Sequence, residues 1–299
     1  MKVHVIGASG RSGAALCRAL LAAGTPVVPV VRDPARWRAT GLAGTPAVAD
    51  LGDAPALRAA LAGAERVVCA AHARHAGAIL AAAPGYARFI FLGSTRKFTR
   101  WPDDHGRGVL AGEAAFLASG RAGVMLHPTM IYGAQGEDNV QRLAALMRRL
   151  PFLPLPGGGR ALVQPIHQSD VTRAVLGALA HAWDGPHTLV VAGPQPLPYA
   201  DFTRAVALAA GLTPPRILPV PAGPLLAAAS LARVIPGLPR VRPAEIRRLL
   251  EDKAFNIGPM ADMLGFQPIP LPDGLRLTFP AVKEPSCPSS TASPIIRTT

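Results

Sequence analysis

The sequence is poor in the residues that mark several common protein classes. Its three cysteines, Cys17, Cys69 and Cys287, are odd in number and form no CxxC pair, and two fall in segments that read as core helix and core strand. A disulfide framework is therefore not expected, and a reducing, cytoplasmic setting is. Aromatic residues make up 5% of the chain, and no basic stretch is interleaved with them. The formal net charge of +13 is spread along the sequence, with its densest groups at 32–38, 96–107 and 240–248. That pattern makes nucleic acid an unexpected partner and favours a solvated basic surface with an anionic cofactor. The longest apolar stretch, 222–234, contains Arg233 and is too short to span a bilayer. No transmembrane segment is expected, only peripheral contact with a membrane surface or a partner protein. A strand begins at Lys2, so no signal peptide is expected either. There is no Gly-x-Ser-x-Gly and no Cys/His arrangement of a hydrolase. His72 and His75 lack a Cys, Asp or Glu partner, so no metal site is predicted.

What is present is a hydrophobic fraction of 49% over 299 residues, ample for one large core. Short apolar runs at 2–6, 27–31, 47–49, 66–70, 88–92 and 123–126 read as strands. Helical patterns at 12–23, 53–61, 73–83 and 109–118 separate them. This alternation demands crossovers and a parallel sheet covered on both faces. The fold class predicted is α/β, a doubly wound parallel sheet (Rossmann) with a smaller, mainly helical C-terminal lobe. The expected domains are 1–191 for the sheet and 192–280 for the lobe, with contributions from about 134–165. Residues 281–299, rich in Ser and Pro, read as a disordered tail.

The loop Gly7-Ala8-Ser9-Gly10-Arg11-Ser12-Gly13 directly follows the first strand and opens the first helix. Glycines there permit a tight turn and close approach of backbone N–H groups to a pyrophosphate, and the helix N-terminus adds partial positive charge. Gly7, Ser9, Gly10, Arg11, Ser12 and Gly13 are therefore predicted to bind a nicotinamide dinucleotide. At the end of the second strand, where an acidic residue would select NAD, Arg32 stands first and Asp33 second. A guanidinium suits a 2′-phosphate, which favours NADP, with NAD as the alternative.

These residues resemble the short-chain dehydrogenase/reductase superfamily, in particular its extended and atypical branch of NAD-dependent epimerase/dehydratase-like proteins. The similarity is carried by the glycine loop, by Asp50-Leu51, by the segment from Phe89 to Thr95, by His127–Gly133 and by Gln164–Val171. The resemblance implies that Asp50 and Leu51 lie by the adenine, that Ala70 and Ala71 border the cofactor, that Ser94 sits beside the nicotinamide and that Pro128 passes near its amide. It also implies a catalytic Tyr with a Lys four residues later. Aligned on Glu113, those positions hold His105 and Val109, so the usual pair is absent. Gln164 stands where sugar-nucleotide enzymes of this class place an arginine for the diphosphate. Ser94 and His105 are thus the candidate catalytic residues, with Lys97 expected to face solvent and Asp170 expected to cap a helix. Two functions follow. One is an oxidoreductase or epimerase on a small, weakly charged molecule. The other is a non-catalytic dinucleotide-binding protein, an accessory or redox-sensing unit docked on a partner or membrane complex.

Overall fold

A computed structural model of the protein describes residues 2–134, 138–150, 152–231 and 243–279. The predicted tail, Cys287 and the end of the apolar stretch lie outside the described residues. The strands are β1 (Val3–Ile6), β2 (Val27–Val31), β3 (Ala47–Val48), β4 (Arg66–Cys69), β5 (Arg88–Leu92) and β6 (Gly123–Pro128). Helices α1 (Arg11–Ala22), α2 (Pro34–Arg38), α3 (Ala54–Ala60), α4 (Ala76–Ala82) and α5 (Asp104–Ala118) alternate with them. The second half adds β7 (Ile131–Tyr132), α6 (Asn139–Arg149), β8 (Phe152–Pro156), β9 (Leu162–Val163), β10 (Ile166–His167), α7 (Gln168–Ala180) and β11 (Pro186–Val191). It continues with β12 (Leu197–Pro198), α8 (Tyr199–Ala209), β13 (Arg216–Val220), α9 (Ala222–Leu231), α10 (Pro243–Arg248), α11 (Gly258–Leu264) and α12 (Leu271–Thr278).

Seven strands form one sheet in the order β11-β6-β5-β4-β1-β2-β3, every neighbouring pair parallel. The strand period of two sends Val3, Val5 and Val68 to one face, where they meet Leu16 and Leu20 of α1, Val171 and Val175 of α7 and Met260 of α11. Ile6, Val67, Phe89 and Phe91 go to the other face, against Leu57, Ile79, Val109 and Phe116 of α3, α4 and α5. Both faces are covered, which is why these strands are almost wholly apolar. Phe91 and Phe116 meet edge to face at 5.1 Å, and each ring buried there contributes on the order of 1.5–3 kcal/mol. A third cluster, built on Val140, Ala144, Phe202, Val206 and Leu275, joins α6, α8 and α12.

Several elements differ from the sequence expectation. The stretch 162–167 holds two short strands, β9 and β10, interrupted by Gln164 and Pro165. Pro154 and Pro156 argue against a strand, yet β8 pairs in parallel with β13. This is an isolated two-stranded ribbon, where proline on an outer edge breaks no ladder. Helices α2 and α12 are too short to reveal themselves by periodicity. Helix α5 begins at Asp104, not at 109, with Asp103 Oδ1 accepting the Gly106 N–H at 2.8 Å. Gly106 and Gly108 disguise that first turn. They are needed because a Cβ would lie 3.0 Å from the Arg96 carbonyl oxygen at 106 and 2.8 Å from the His72 ring at 108. Asp170 does not cap α7, since His167 does so by accepting the Ser169 N–H. Asp170 is fully buried, pairs with Arg173 at 2.9 Å and accepts the Ile269 N–H at 2.9 Å. It ties the chain leading into α12 to α7.

Candidate active site

The glycine loop has the shape that a pyrophosphate requires. Gly7 adopts φ +74°, and a Cβ there would stand 3.1 Å from the Ala71 nitrogen. At Gly13 a Cβ would lie 2.1 Å from the Gly7 carbonyl oxygen, so only glycine lets α1 approach β1 this closely. Gly10 is the N-cap of α1, and no side chain caps that helix. Ser9 and Ser12 are half-buried beside it, while Gly10 and Arg11 are exposed. A loop that only turned the chain would gain from a capping side chain. This uncapped N-terminus, in a cradle that a Cβ would fill, fits the pyrophosphate of a dinucleotide.

At the end of β2, Arg32 is exposed. Asp33, the residue that could compete for a ribose, is engaged as the N-cap of α2, its Oδ1 accepting the Ala35 N–H at 2.9 Å. Asp50 is exposed after β3 and accepts the Gly52 N–H at 2.8 Å, with Leu51 half-buried next to it. Ala70 and Ala71 follow β4 and line the back of the Gly7 turn. The parallel sheet thus delivers all these residues to one edge, the carboxyl ends of its strands, where ligands of open α/β sheets bind.

Ser94 follows β5 on the same edge. Its Oγ accepts the Arg96 N–H at 3.2 Å and so begins a single 3-10 turn, Thr95–Phe98. Thr95 Oγ1 anchors that turn to the carbonyl oxygen of the buried Pro128 at 3.2 Å. His105 lies in the first turn of α5, ahead of the helix start expected at 109, and is half-buried. Its ring meets the His72 ring edge on at 4.4 Å, one residue beyond Ala71. Burial holds the His105 pKa below its usual value, and the cations Arg96, Arg74 and Arg248 lower it further. His72 is pushed down to about 4 by burial, then by His105, Arg74, His75 and Arg96. Both imidazoles are therefore neutral at pH 7.

Sequence reasoning missed what lies beneath Ser94. Lys97 does not face solvent: its side chain is 8% exposed, and Nζ lies 2.5 Å from Glu113 Oε2. The same carboxylate oxygen is 2.7 Å from Nε2 of the buried His127, whose Nδ1 accepts the Ser94 N–H at 3.2 Å. Lys97 thus brings an ammonium to Glu113, one helical turn beyond Val109. Gly93 makes the His127 contact feasible, because a Cβ there would lie 2.5 Å from Nδ1. The signal in the sequence was weak, since these groups are separated by long intervals and meet only when β5, β6 and α5 pack.

Gln164 is buried and fully used: Nε2 donates to the Gly193 carbonyl at 2.8 Å, and Oε1 accepts the Phe255 N–H at 2.7 Å. It fastens the segment before α11 to the sheet edge. Tyr132 is buried between β7 and α12, where a Cβ at Gly274 would strike its hydroxyl, and its ring packs on His167 at 5.3 Å. Burial pushes its phenol pKa up, with Asp170 and Asp273 adding to the rise. Cys17 and Cys69 are buried, reduced and pushed up to about 12 by burial, which makes them inert. Among the described residues there is no cluster of metal-ligating side chains. No helix of the described residues is long and apolar enough to cross a membrane.

Residues 7–121 match a family described as NAD(P)H-binding. Among solved structures, the chain is similar to an NADPH-dependent quinone oxidoreductase from Escherichia coli complexed with NADPH, at 18% identity and a TM-score of 0.72, covering 91% of this chain and 98% of that one. It is also similar to UDP-glucuronic acid 4-epimerase from Bacillus cereus, in complex with UDP-glucuronic acid and NAD, at 17% identity and a TM-score of 0.70, covering 93% and 98%. A third is the Thermus thermophilus UDP-glucose 4-epimerase in complex with NAD, at 19% identity and a TM-score of 0.69, covering 93% and 98%. No curated protein sequence matches the chain. Residues 7–121 thus match an NAD(P)H-binding family, and the chain as a whole has the Rossmann fold that these solved structures share.

Proposed function

We propose that this chain is an NAD(P)-dependent oxidoreductase or epimerase of small molecules, with NADP as the preferred cofactor and Ser94 and His105 as its catalytic residues. The observation that carries the reading is the His105 ring held against His72, next to Ala71, with the Ser94 turn packed on the same helix start. When bound, the nicotinamide supplies the means of hydride transfer. In this reading the backbone of 7–13 holds the pyrophosphate, Arg32 meets the 2′-phosphate, and Asp50, Leu51, Ala70, Ala71 and Pro128 line the rest. Ser94 Oγ already accepts the Arg96 N–H, so its hydroxyl proton is free to be donated to a substrate oxygen. Neutral His105 accepts the hydroxyl proton when an alcohol is oxidised and returns it when a carbonyl is reduced.

Two results test this. Arg32→Ala is expected to lower the preference for NADPH over NADH by about tenfold or more, because it removes a charge-assisted contact to the 2′-phosphate. Calorimetry with both nucleotides measures it, and an unchanged ratio would remove Arg32 from the site. His105→Ala is expected to reduce kcat by roughly a hundredfold or more while leaving NADPH affinity intact. In the oxidation direction, kcat/KM should rise with pH along a limb whose midpoint lies below the usual histidine value of 6.5, since the His105 pKa is lowered. The variant should lose that limb. If no NADPH consumption appears over a broad panel of carbonyls and quinones, the enzymatic reading fails, and the missing Tyr/Lys pair then favours a non-catalytic dinucleotide-binding protein.

A further inference from the structure

A cleft of about 290 Å³ opens between the turn after Ser94 and α10. Its wall carries four guanidinium groups, Arg96, Arg100, Arg247 and Arg248, together with one carboxylate, Asp103. Asp103 is ion-paired with Arg96. Among the described residues, no carboxylate pairs with the side chains of Arg100 or Arg247. The two walls come from the densest basic groups of the sequence, far apart along the chain, and a buried acid binds them together. Glu251 is 5% exposed, accepts from Thr99 Oγ1 at 2.9 and 3.0 Å and from the Arg100 N–H at 2.5 Å, and lies 3.8 Å from Lys253. It thus fastens the two walls of the cleft, and the cation beside it is Lys253. Burial and the nearby Arg248 both lower the Arg96 pKa, which marks mutual repulsion of the guanidinium groups. A fold that clamps like charges together raises its own energy, and a bound anion would offset that.

We propose that the substrate of this site is an oxyanion, a small molecule whose carboxylate or phosphate group seats on Arg100 and Arg247 while its reacting end reaches Ser94 and His105. The inference rests on the enzymatic reading above and names its substrate class. It departs from the weakly charged substrate that the sequence suggested. The cleft begins at Arg96, two residues after Ser94, and Arg96 and Arg248 are near enough to His105 to depress its pKa. Planar guanidinium forks hold carboxylate or phosphate oxygens in pairs. The volume lies at the small end of the range for ligand pockets. Gln164, buried and fully hydrogen-bonded, leaves no cation at the position where the resemblance would expect a diphosphate to bind, so the anion site of this chain lies elsewhere, on the α10 side.

The test is a calorimetric titration of the full chain, saturated with NADPH so that the glycine loop is filled. The probes are citrate, inorganic phosphate and neutral xylitol. Citrate or phosphate is expected to bind while xylitol does not. Arg100→Ala/Arg247→Ala should weaken that binding by about tenfold or more with NADPH affinity and near-ultraviolet circular dichroism unchanged. Arg100→Lys/Arg247→Lys, which keeps charge and loses the forks, should fall between. Citrate alone binding identifies a carboxylate substrate, and phosphate alone a phosphate ester. If NADPH binds and neither oxyanion does, or if the alanine variant binds as the wild type does, the oxyanion inference is overturned while the dinucleotide reading stands. If NADPH itself does not bind, that reading falls and takes the substrate assignment with it.

Discussion

Gly13→Ala should abolish tight dinucleotide binding and lower the melting temperature by roughly 5–10 °C, on the order of 3 kcal/mol. The added methyl would lie 2.1 Å from the Gly7 carbonyl oxygen and 2.8 Å from its carbon, where about 3.5 Å is needed for ordinary contact. Both obstacles are backbone, so no rotamer change relieves the clash. Helix α1 must move away from β1, and its N-terminus then leaves the glycine cradle proposed to hold the pyrophosphate. Gly24, just past the other end of the same helix, is a useful contrast. It has φ +70°, and a Cβ there would meet nothing within 4 Å, so Gly24→Ala should cost about 1 kcal/mol from backbone strain and leave NADPH affinity unchanged. Calorimetric melting and NADPH titration of both variants make the comparison. A Gly13→Ala protein that binds NADPH as the wild type does would show that the loop is a turn and not a phosphate cradle.

The second large effect is acid destabilisation centred on His127. Burial, then the Lys97 ammonium, lowers its pKa from 6.5 to about 4, against the opposing pull of Glu113. The Nδ1 that accepts the Ser94 N–H has no proton to spare, which fits a neutral ring. In the unfolded chain the ring protonates near 6.5, so between that pH and about 4 the unfolded state binds the extra proton and the folded state does not. The stability from this group is therefore full above pH 6.5 and is lost as the pH falls towards the folded value, a change on the order of 2–3 kcal/mol. His127→Asn keeps an oxygen to accept the Ser94 N–H and removes the titration. Denaturant unfolding near neutral pH and at about pH 4.5 should show a smaller acid loss in the variant. Equal losses in the two proteins would mean that His127 does not carry the effect.

Much of the architecture was legible because local signals agreed with one another. The apolar runs at 27–31 and 89–92, glycine turns and Asp53 at a helix start each point to the element that forms. The errors cluster where tertiary contact overrides local pattern. Gly106 and Gly108 look like loop residues, yet sit in a helix because Arg96 and His72 press against it. Prolines 154 and 156 look incompatible with a strand, yet lie in a ribbon that demands little of them. Lys97, a long cation that ordinarily reaches for solvent, is drawn inward by the Glu113 carboxylate of α5, which also meets His127 of β6.

The alternation of strands and helices through β6 and the glycine loop between β1 and α1 were thus determined by the sequence alone, because each depends on residues close together in the chain. The pairing of His105 with His72, the Lys97–Glu113–His127 network and the joining of two arginine groups across one cleft were decided only by the tertiary structure. Those groups lie tens to more than a hundred residues apart, and their charge and hydrogen-bonding behaviour depends on burial and mutual distance, which exist only once the sheet, α5 and the α10 segment have packed.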